Sequence, residues 1–257
     1  MYLDCTLRDG GYYTNWDFDT SLYITYLKAM EVLPVDAMEI GYRSLPMDNY
    51  LGRFFYCPVN VLKLAREHAP SKKIAVMFNE KDVRPENAAH LLLPVKEYVD
   101  IVRMAVDPNR FDSALLLAKA IKDLGFEVAL NLMYMSKVVS DPEVLNKLPL
   151  MNGVVDYFSL VDSYGGVYPE DVRSTVEKVL QLVTMPVGFH GHNNLEMAFI
   201  NSITAVEAGA TWVDGTVTGM GRGAGNLKTE LFLVWAASRK KENIDFDALS
   251  QVVDVFE

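Results

Sequence analysis

Short apolar segments recur along the chain, and longer segments with helical spacing separate them. The apolar segments begin 25 to 37 residues apart and are mostly continuous rather than alternating, which is typical of parallel strands covered on both faces. We predict strands at residues 2–6, 37–40, 74–78, 101–105, 128–133, 157–161, 187–190 and 212–214.

The intervening segments have helical periodicity with matching start and stop signals. Residues 21–33 place Leu22, Tyr26 and Met30 on one face, and residues 111–124 repeat the pattern. Boundaries are indicated by Asp19, Thr20, Gly125, Pro169 and Gly209. Alternation of eight strands with about eight helices predicts an α/β fold, the TIM (β/α)8 barrel, because parallel crossovers are right-handed and a closed sheet leaves no exposed edge. A doubly wound open sheet is the alternative.

No composition shift, linker or low-complexity tract divides the chain. Its 257 residues suit one α/β barrel, so we expect residues 1–257 to form a single barrel domain. Residues 245–257 are apolar at helical spacing and end abruptly, and such a helix needs a surface to pack on. We therefore expect the sequence to stop before a C-terminal region.

The charge balance argues against a nucleic-acid surface. The chain has 24 Lys and Arg against 34 Asp and Glu, a formal net charge of −10, and its densest basic run is residues 239–241 at a predicted helix end. Cys5 and Cys57 are too few for a disulfide framework or a zinc site, which favours a reducing compartment. Signal-peptide features and long apolar runs are missing from the sequence. We expect a cytoplasmic protein without a membrane partner.

Two motifs follow predicted strands 1 and 7, where the loops of a barrel enzyme form its active face. Arg8 and Asp9 precede two glycines, and His190 and His192 form a His-x-His pair whose side chains share one face of an extended segment. Two imidazoles and a carboxylate make a three-ligand metal site with open positions, so we predict Asp9, His190 and His192 as ligands. The alternative is that the histidines are hydrogen-bonded polar residues and that Asp9 only pairs with Arg8.

Further polar and glycine-rich positions follow other strands. The glycine-rich residues 219–226 come after the last predicted strand, which disfavours a dinucleotide site and leaves either an anion-binding loop or a tight turn. Ser163 could donate to substrate or cap a chain reversal. A set of polar residues at or near strand ends is expected to point into one polar barrel mouth, since buried polar groups need partners: Glu39, Arg43, Asn79, Arg103 and Asn131.

The sequence DCTLRDG at residues 4–10, together with HGHN at residues 190–193, resembles the DRE-TIM metallolyases. Residues 162–163 and 223–226 are most similar to the 4-hydroxy-2-oxovalerate aldolases of that superfamily. The resemblance implies a divalent metal held by Asp9, His190 and His192. Mn²⁺ or Mg²⁺ is the expected ion, although imidazoles would also accept Co²⁺ or Zn²⁺. It also implies that Arg8 stabilises an enolate and that Ser163 and the loop ending at Asn226 hold the substrate's carboxylate end.

One position departs from the aldolase pattern. The aldolases carry a basic histidine three residues after the motif aspartate, and this chain has Tyr12 there. A phenol is a poor base near neutral pH, so Tyr12 is expected to act as an acid, to orient a different aldehyde, or to leave proton transfer to water.

The expected activity is metal-dependent aldol cleavage of a 4-hydroxy-2-oxo acid to pyruvate, or a related 2-oxo acid, and an aldehyde. Alternatives are a synthase condensing an acyl-CoA with a 2-oxo acid, and a weakly catalytic barrel that binds metal and ligand and depends on a missing domain. The partners expected are the 2-oxo acid substrate, a second copy in a homo-oligomer, and an aldehyde dehydrogenase or a missing C-terminal domain. No nucleic-acid partner is expected, because of the negative charge balance.

Overall fold

The computed structural model describes residues 1–138, 140–241 and 243–257. Within them eight parallel strands pair in chain order and close into a barrel. The strands are β1 (Tyr2–Asp4), β2 (Ala37–Tyr42), β3 (Lys73–Asn79), β4 (Ile101–Val106), β5 (Glu127–Leu132), β6 (Tyr157–Asp162), β7 (Val187–Gly191) and β8 (Trp212–Gly215).

The pair that closes the barrel joins the first strand to the last. Tyr2 pairs with Val213 and Asp4 with Gly215, in parallel register. All eight predicted strands are present and the predicted TIM barrel is confirmed, whereas the open-sheet alternative is excluded by this closing pair.

Helices pack around the outside of the barrel and in its loops. They are α1 (Thr6–Asp9), α2 (Gly11–Thr14), α3 (Thr20–Val32), α4 (Arg53–Tyr56), α5 (Val59–His68), α6 (Pro85–Leu92), α7 (Phe111–Asp123), α8 (Met135–Val138), α9 (Pro142–Lys147), α10 (Pro169–Leu180), α11 (Ala198–Glu207), α12 (Thr229–Lys240) and α13 (Phe246–Asp254). Short 3-10 segments lie at Leu93–Val95, Pro108–Arg110, Leu148–Met151 and Val217–Gly219.

The predicted helix boundaries agree with the structure. Gly125 and Gly209 adopt the left-handed conformation, with φ of 85° and 110°, just after α7 and α11. Pro169 is the first residue of α10, where its missing N–H costs no hydrogen bond. The basic run enters the last turn of α12, as expected from its charge.

The C-terminal helix α13 packs on the barrel. Asp245 caps it by accepting a hydrogen bond from the Ala248 N–H at 2.9 Å. The ring of Phe256, just beyond α13, lies 6.0 Å from that of Tyr26 on α3. The prediction that the apolar face of residues 245–257 packs on a surface is therefore confirmed, although Phe246 stays 60% exposed.

The first strand ends earlier than predicted. Residues 2–6 were expected to be extended, but β1 stops at Asp4 and the chain turns into α1. The cause is Asp4 itself, whose Oδ1 accepts hydrogen bonds from the backbone N–H of Thr6 at 3.0 Å and from its hydroxyl at 2.6 Å. Arg8 and Asp9 are thus carried on a helical turn that is fully buried.

The barrel interior has an apolar layer and a polar layer. A small apolar cluster fills its amino-terminal half, made by Leu3, Cys5, Ala37, Ala75, Ile101, Ala129 and Trp212. Directly above, the Trp212 indole N–H donates to Asp214 at 2.6 Å, which begins a buried polar layer. The larger apolar core lies between the strands and the surrounding helices. The polar groups of the barrel interior therefore lie toward its carboxyl-terminal half, where barrel enzymes have their active sites.

In the part of the chain that the structure describes, no helix is both long enough and apolar enough to cross a bilayer.

Candidate active site at the carboxyl ends of the strands

A cavity of about 280 Å³ opens at the carboxyl ends of the strands. Its volume is near the lower end of the range for small-molecule sites, about 300–1,000 Å³. The lining residues from the two motifs are Arg8, Asp9, Tyr12, His190 and His192, and Ser163 joins them. The structure therefore brings together six of the seven predicted site residues.

Asp9 and His190 face each other at the bottom of the cavity. The carboxylate Oδ2 of Asp9 lies 3.6 Å from Nε2 of His190. The Sγ of Cys5 completes a buried group whose ligand atoms are all within 4.8 Å of one another. Cys5 donates a weak hydrogen bond to Asp9 at 3.5 Å, and burial raises the pKa of its thiol well above the usual value. Cys5 therefore remains a protonated neighbour of the carboxylate.

His192 lies beside His190, with ring centroids 5.1 Å apart. Burial and the neighbouring His190 lower its pKa to about 4, so its imidazole is neutral near pH 7. Neutral imidazole is the form that binds a metal. The expected sharing of one face by the His-x-His pair is borne out in the geometry.

Asp214 holds His190 from behind. Its Oδ2 lies 3.0 Å from Nδ1 of His190, so Nε2 is the nitrogen presented toward Asp9. Burial disfavours the Asp214 anion, but Arg103 and His190 outweigh burial and lower its pKa. A carboxylate behind an imidazole fixes both the tautomer and the ring orientation.

Arg8 is clamped between two carboxylates. Its guanidinium pairs with Asp9 and, through Nε, with Glu39 at 2.6 Å. Burial works against the charged guanidinium, but these carboxylates outweigh burial and raise the pKa of Arg8 well above its usual value. Glu39 also pairs with Arg103 at 3.2 Å, and Arg103 pairs with Asp214. The contacts form a closed ring from Arg8 through Glu39, Arg103, Asp214, His190 and Asp9.

The charges of this ring suit a divalent cation. It contains two arginines and three carboxylates, which leaves one net negative charge before His190 is counted. Burial raises the pKa of Asp9, but Arg8 and the two histidines outweigh burial and hold it below the usual value, so the carboxylate is available as a ligand. A carboxylate with imidazole nitrogens fits a divalent ion, whose two positive charges would favour an anionic substrate.

Asn226 stands behind Asp9 rather than in the cavity wall. Its Nδ2 donates to Asp9 Oδ2 at 2.9 Å and to the carbonyl of Met220 at 3.2 Å. Its Oδ1 is buried and lacks a hydrogen-bond partner among the described residues. Asn226 thus orients the carboxylate and leaves one acceptor oxygen unused.

Ser163 has a structural partner as well as a place in the cavity. Its Oγ accepts a hydrogen bond from the backbone N–H of Tyr134 at 2.9 Å, while its own hydroxyl hydrogen remains available to donate. The two interpretations of Ser163, substrate donor and structural cap, are thus compatible.

Tyr12 is 38% exposed at the rim of the cavity. Its hydroxyl lies 3.3 Å from that of Tyr42, and the guanidinium carbon of Arg222 lies 4.6 Å from its ring centroid. A cation over the ring restrains the phenol while leaving its hydroxyl accessible.

The glycine-rich loop after β8 is a tight turn. Gly219, Gly223 and Gly225 have φ between 65° and 86°. The loop is bound to its neighbours by several hydrogen bonds, among them that of the Tyr13 hydroxyl to the carbonyl of Gly221 at 2.7 Å. Its contribution to the cavity is the side chain of Arg222.

The polar strand residues behave in three ways. Glu39 and Arg103 join the buried ring, and Asn79 and Asn131 line the cavity. The prediction for Arg43 is wrong: its guanidinium donates outside the mouth to the carbonyls of Leu91, Tyr56 and Cys57, because those helix and loop ends leave carbonyls without partners.

Sequence reasoning missed Cys5, Tyr42, Asp214 and Arg222 as parts of the site. Asp214 was counted only as the end of a strand, and its pairing with His190 depends on the register of β7 with β8. The position after a predicted strand was a usable signal for Tyr42 and Arg222.

Comparison with known proteins identifies the family. The HMGL-like family profile matches residues 85–256. The chain belongs to the HMGL-like family. The predicted membership is confirmed, and with it the prediction of a lyase of this family.

HMGL-like relatives of known name match nearly the whole chain. A 4-hydroxy-2-oxovalerate aldolase from Carboxydothermus hydrogenoformans is 31% identical over 99% of this chain and 75% of its own length. One from Pectobacterium atrosepticum is 29% identical over 100% and 75%. An oxaloacetate decarboxylase from Mycobacterium tuberculosis is 28% identical over 99% and 74%. The chain thus spans about three quarters of these relatives.

Solved structures agree with the assignment. The N-terminal domain of an inferred aldolase from Bacteroides vulgatus superposes with a TM-score of 0.97 at 49% identity, covering 99% of this chain and 85% of that one. The carboxyl transferase domain of Rhizobium etli pyruvate carboxylase superposes with a TM-score of 0.78 at 14% identity, over 100% of this chain and 47% of that one, which shows the shared fold alone.

Proposed function

We propose that this HMGL-like protein is a divalent-metal-dependent aldolase that cleaves a 4-hydroxy-2-oxo acid into pyruvate, or a related 2-oxo acid, and an aldehyde. The observation that carries the proposal is the placement of Arg8 beside the Asp9 and His190 pair at the bottom of a small-molecule cavity. The names of the relatives support the same reaction class.

Asp9, His190 and His192 would hold the ion, with Mn²⁺ or Mg²⁺ expected from the family resemblance and from the open positions left for substrate and water oxygens. When bound, such an ion polarises the 2-oxo group of the substrate. Arg103, Asp214 and Glu39 keep His190 and Arg8 in place without touching the cavity.

The reaction breaks one carbon–carbon bond. The hydroxyl at C4 loses its proton, the bond between C3 and C4 breaks, and its electron pair forms the enolate of the 2-oxo acid. Protonation of C3 then completes pyruvate, and C4 leaves as the aldehyde carbon. Arg8 would stabilise the negative charge on the enolate, because its guanidinium is fixed before the reaction begins. Ser163 would donate to the substrate carboxylate.

Tyr12 would assist removal of the proton from the C4 hydroxyl of the substrate. Its phenol is exposed at the rim, with the hydroxyl 3.3 Å from that of Tyr42, so Tyr12 can orient the C4 hydroxyl of the substrate while water at the rim takes the proton. Asn226 would act on substrate only through Asp9, unless its unused Oδ1 is turned toward a bound ligand.

Oxaloacetate decarboxylation is a second candidate, favoured by the tyrosine at position 12. Decarboxylation of oxaloacetate forms the same pyruvate enolate, but the other product is carbon dioxide. No hydroxyl proton therefore has to be removed. A site with a tyrosine where the aldolases have a basic histidine suits that reaction, and one relative is named for it.

The test is an assay of the Mn²⁺-loaded protein with a panel of 4-hydroxy-2-oxo acids and with oxaloacetate, coupling pyruvate to lactate dehydrogenase. We expect turnover that EDTA abolishes and Mn²⁺ restores. Turnover of oxaloacetate alone would replace the aldolase proposal by the decarboxylase one. Release of CoA from an acyl-CoA plus a 2-oxo acid would favour a synthase. Metal binding without any turnover would leave a binding barrel.

A further inference from the structure

Asn131 is a buried polar side chain in the cavity wall, and none of the described residues is its hydrogen-bond partner. It lies on β5, is 3% exposed, and lines the same cavity as Arg8 and His190. Its Oδ1 is enclosed by protein and accepts no hydrogen bond from any described residue. An unsatisfied buried amide is costly, and this one lies where a ligand in the cavity can supply a partner.

The wall around Asn131 is polar on strands β3 to β5. Asn79 and Asn131 are both in register with Ala105, one on each side of it, so the small Ala105 side chain separates two amides. Glu80 and Lys81 follow Asn79, and Asp107 and Arg110 follow Ala105, all at the cavity wall. Arg110 donates to Glu80 from Nε at 2.5 Å and from a terminal nitrogen at 3.1 Å.

The charges of this wall cancel. Lys81 and Arg110 are balanced by Glu80 and Asp107. A second carboxylate or a phosphate on the substrate would find no net positive charge there, while an alkyl chain would leave the Asn131 amide unsatisfied. A chain of hydroxyl groups both donates and accepts, and so satisfies amide, carboxylate and ammonium groups together.

The position of the wall fixes which part of the substrate it meets. The groups proposed to act on the 2-oxo acid follow β1, β6 and β7, with the proposed metal ligands on β1 and β7, while the polar wall is on β3 to β5, across the barrel from those ligands. A substrate with its 2-oxo acid end at Asp9 and His190 therefore extends its aldehyde portion toward Asn131.

We infer that the aldehyde portion of the substrate is polyhydroxylated, so that the substrate class is a 3-deoxy-2-oxo sugar acid rather than a short alkyl 4-hydroxy-2-oxo acid. The inference rests on the proposed function, and Asn131 is its specificity-determining residue. The Asn131 side-chain amide forms a hydrogen bond with a hydroxyl group of the substrate's carbon chain, and Asn79 and Lys81 line the cavity beside it.

The first test compares two aldehydes of equal size. Glyceraldehyde and pentanal each contain six non-hydrogen atoms, and the Mn²⁺-loaded protein condenses each with pyruvate in the synthetic direction. We expect kcat/KM to be at least about tenfold higher for glyceraldehyde, because a site built for hydroxyls discriminates against an analogue that lacks them. Equal values, or a preference for pentanal, would overturn the inference while leaving the aldolase proposal intact.

The second test changes Asn131 itself. Asn131→Leu keeps the approximate shape and removes the amide, and we expect the glyceraldehyde-to-pentanal ratio of kcat/KM to fall toward one. Asn60→Leu makes the same substitution at an exposed helical position outside the cavity, so it should keep the wild-type ratio. A wild-type ratio in Asn131→Leu would contradict the assignment.

The stability of Asn131→Leu separates a ligand-binding role from a structural one. Removing an unsatisfied buried carbonyl should raise the Tm of the ligand-free protein, by about 2–4 °C. A fall in Tm would show that the amide is satisfied within the fold, and would overturn the inference without any assay.

If neither aldehyde reacts, a direct binding measurement still tests the proposed substrate class. Calorimetry of the Mn²⁺-loaded protein would compare 2-oxo-3-deoxygluconate with 4-hydroxy-2-oxooctanoate. Tighter binding of the hydroxylated acid, lost in Asn131→Leu, would support the substrate class even if the aldolase proposal has failed. Equal binding of the two acids would overturn it.

Discussion

Asp214 shows how one side chain controls the chemistry of another. Its carboxylate lies within hydrogen-bonding distance of Nδ1 of His190, at 3.0 Å, and also forms an ion pair with Arg103. The carboxylate that orients the imidazole is thus fixed by the arginine. Because only Nε2 remains for the cavity, the orientation of His190 is decided before any ligand arrives.

Replacement of this carboxylate should weaken metal binding. In Asp214→Asn we expect Mn²⁺ affinity to fall about 10- to 100-fold, since the amide no longer enforces the His190 tautomer. Calorimetric titration measures the affinity directly. Asp112→Asn, the same change at an exposed ion pair with Lys147, is the matched control. An Asp214→Asn protein that folds and keeps wild-type affinity would show that Asp214 has no such role.

Tyr12 is the second residue whose role can be isolated. Tyr12→Phe removes only the hydroxyl, and aldol cleavage should lose about 100-fold or more in kcat if the phenol assists removal of the proton. Oxaloacetate decarboxylation should lose much less, because it requires no hydroxyl deprotonation. Steady-state kinetics on both substrates measures the contrast, with Tyr168→Phe, exposed and outside the cavity, as control. Equal losses would assign Tyr12 a binding role.

At the scale of elements, the helical turn after β1 positions both Arg8 and Asp9. Of the two glycines that follow, Gly10 has right-handed helical dihedral angles, which any residue can adopt. Both glycines are required by close packing: a Cβ on Gly10 would overlap Met220, and one on Gly11 would overlap the Trp16 indole. Trp16 in turn donates to the carbonyl of Arg8 at 2.8 Å.

Gly11→Ala should therefore disturb the site through Trp16. We expect a loss of about 1–3 kcal/mol in the free energy of unfolding, as for overpacked cores, together with lower activity. Urea unfolding measures the loss. Gly166→Ala is the control, since a Cβ there meets only the carbonyl oxygen of Tyr164 at 3.9 Å. Unchanged stability in Gly11→Ala would mean that Trp16 can move at little cost.

At the scale of the molecule, the site depends on barrel closure. Asp9 follows β1, whereas His190 and His192 come from the end of β7 and beyond, so a bound ion joins parts of the chain about 180 residues apart. Buried hydrogen bonds strengthen the same closure: Thr229 on α12 donates to Asp4 at 2.5 Å and accepts from the Tyr2 hydroxyl at 2.8 Å.

Metal binding should accordingly stabilise the whole fold. At Mn²⁺ 100-fold above its Kd, ligation adds about 2.7 kcal/mol, which corresponds to a rise in Tm of about 5–10 °C for a chain of this size. Thermal unfolding with Mn²⁺ and with EDTA measures the shift. It should vanish in His190→Ala/His192→Ala and persist in His90→Ala, on the exposed side of α6. A full shift in the double variant would place the metal elsewhere.

Local patterns in the sequence determined much of this protein. Continuous apolar runs marked all eight strands, because strands buried on both faces need apolar side chains throughout. Two short motifs at strand ends located Arg8, Asp9, His190 and His192, since residues at the carboxyl ends of parallel strands converge on one face of the barrel.

Tertiary structure alone decided which groups support and surround them. The register of β7 with β8 brings Asp214 to His190. Cys5 contacts Asp9 because the chain turns into a helix directly after β1. Arg222 packs on the ring of Tyr12, although 210 residues of sequence separate them. Arg43 was misplaced for the same reason, because its carbonyl partners belong to helix and loop ends that no local pattern connects to it. Contacts between distant segments depend on closure of the barrel, which periodicity predicts as an architecture but does not resolve into individual side-chain partners.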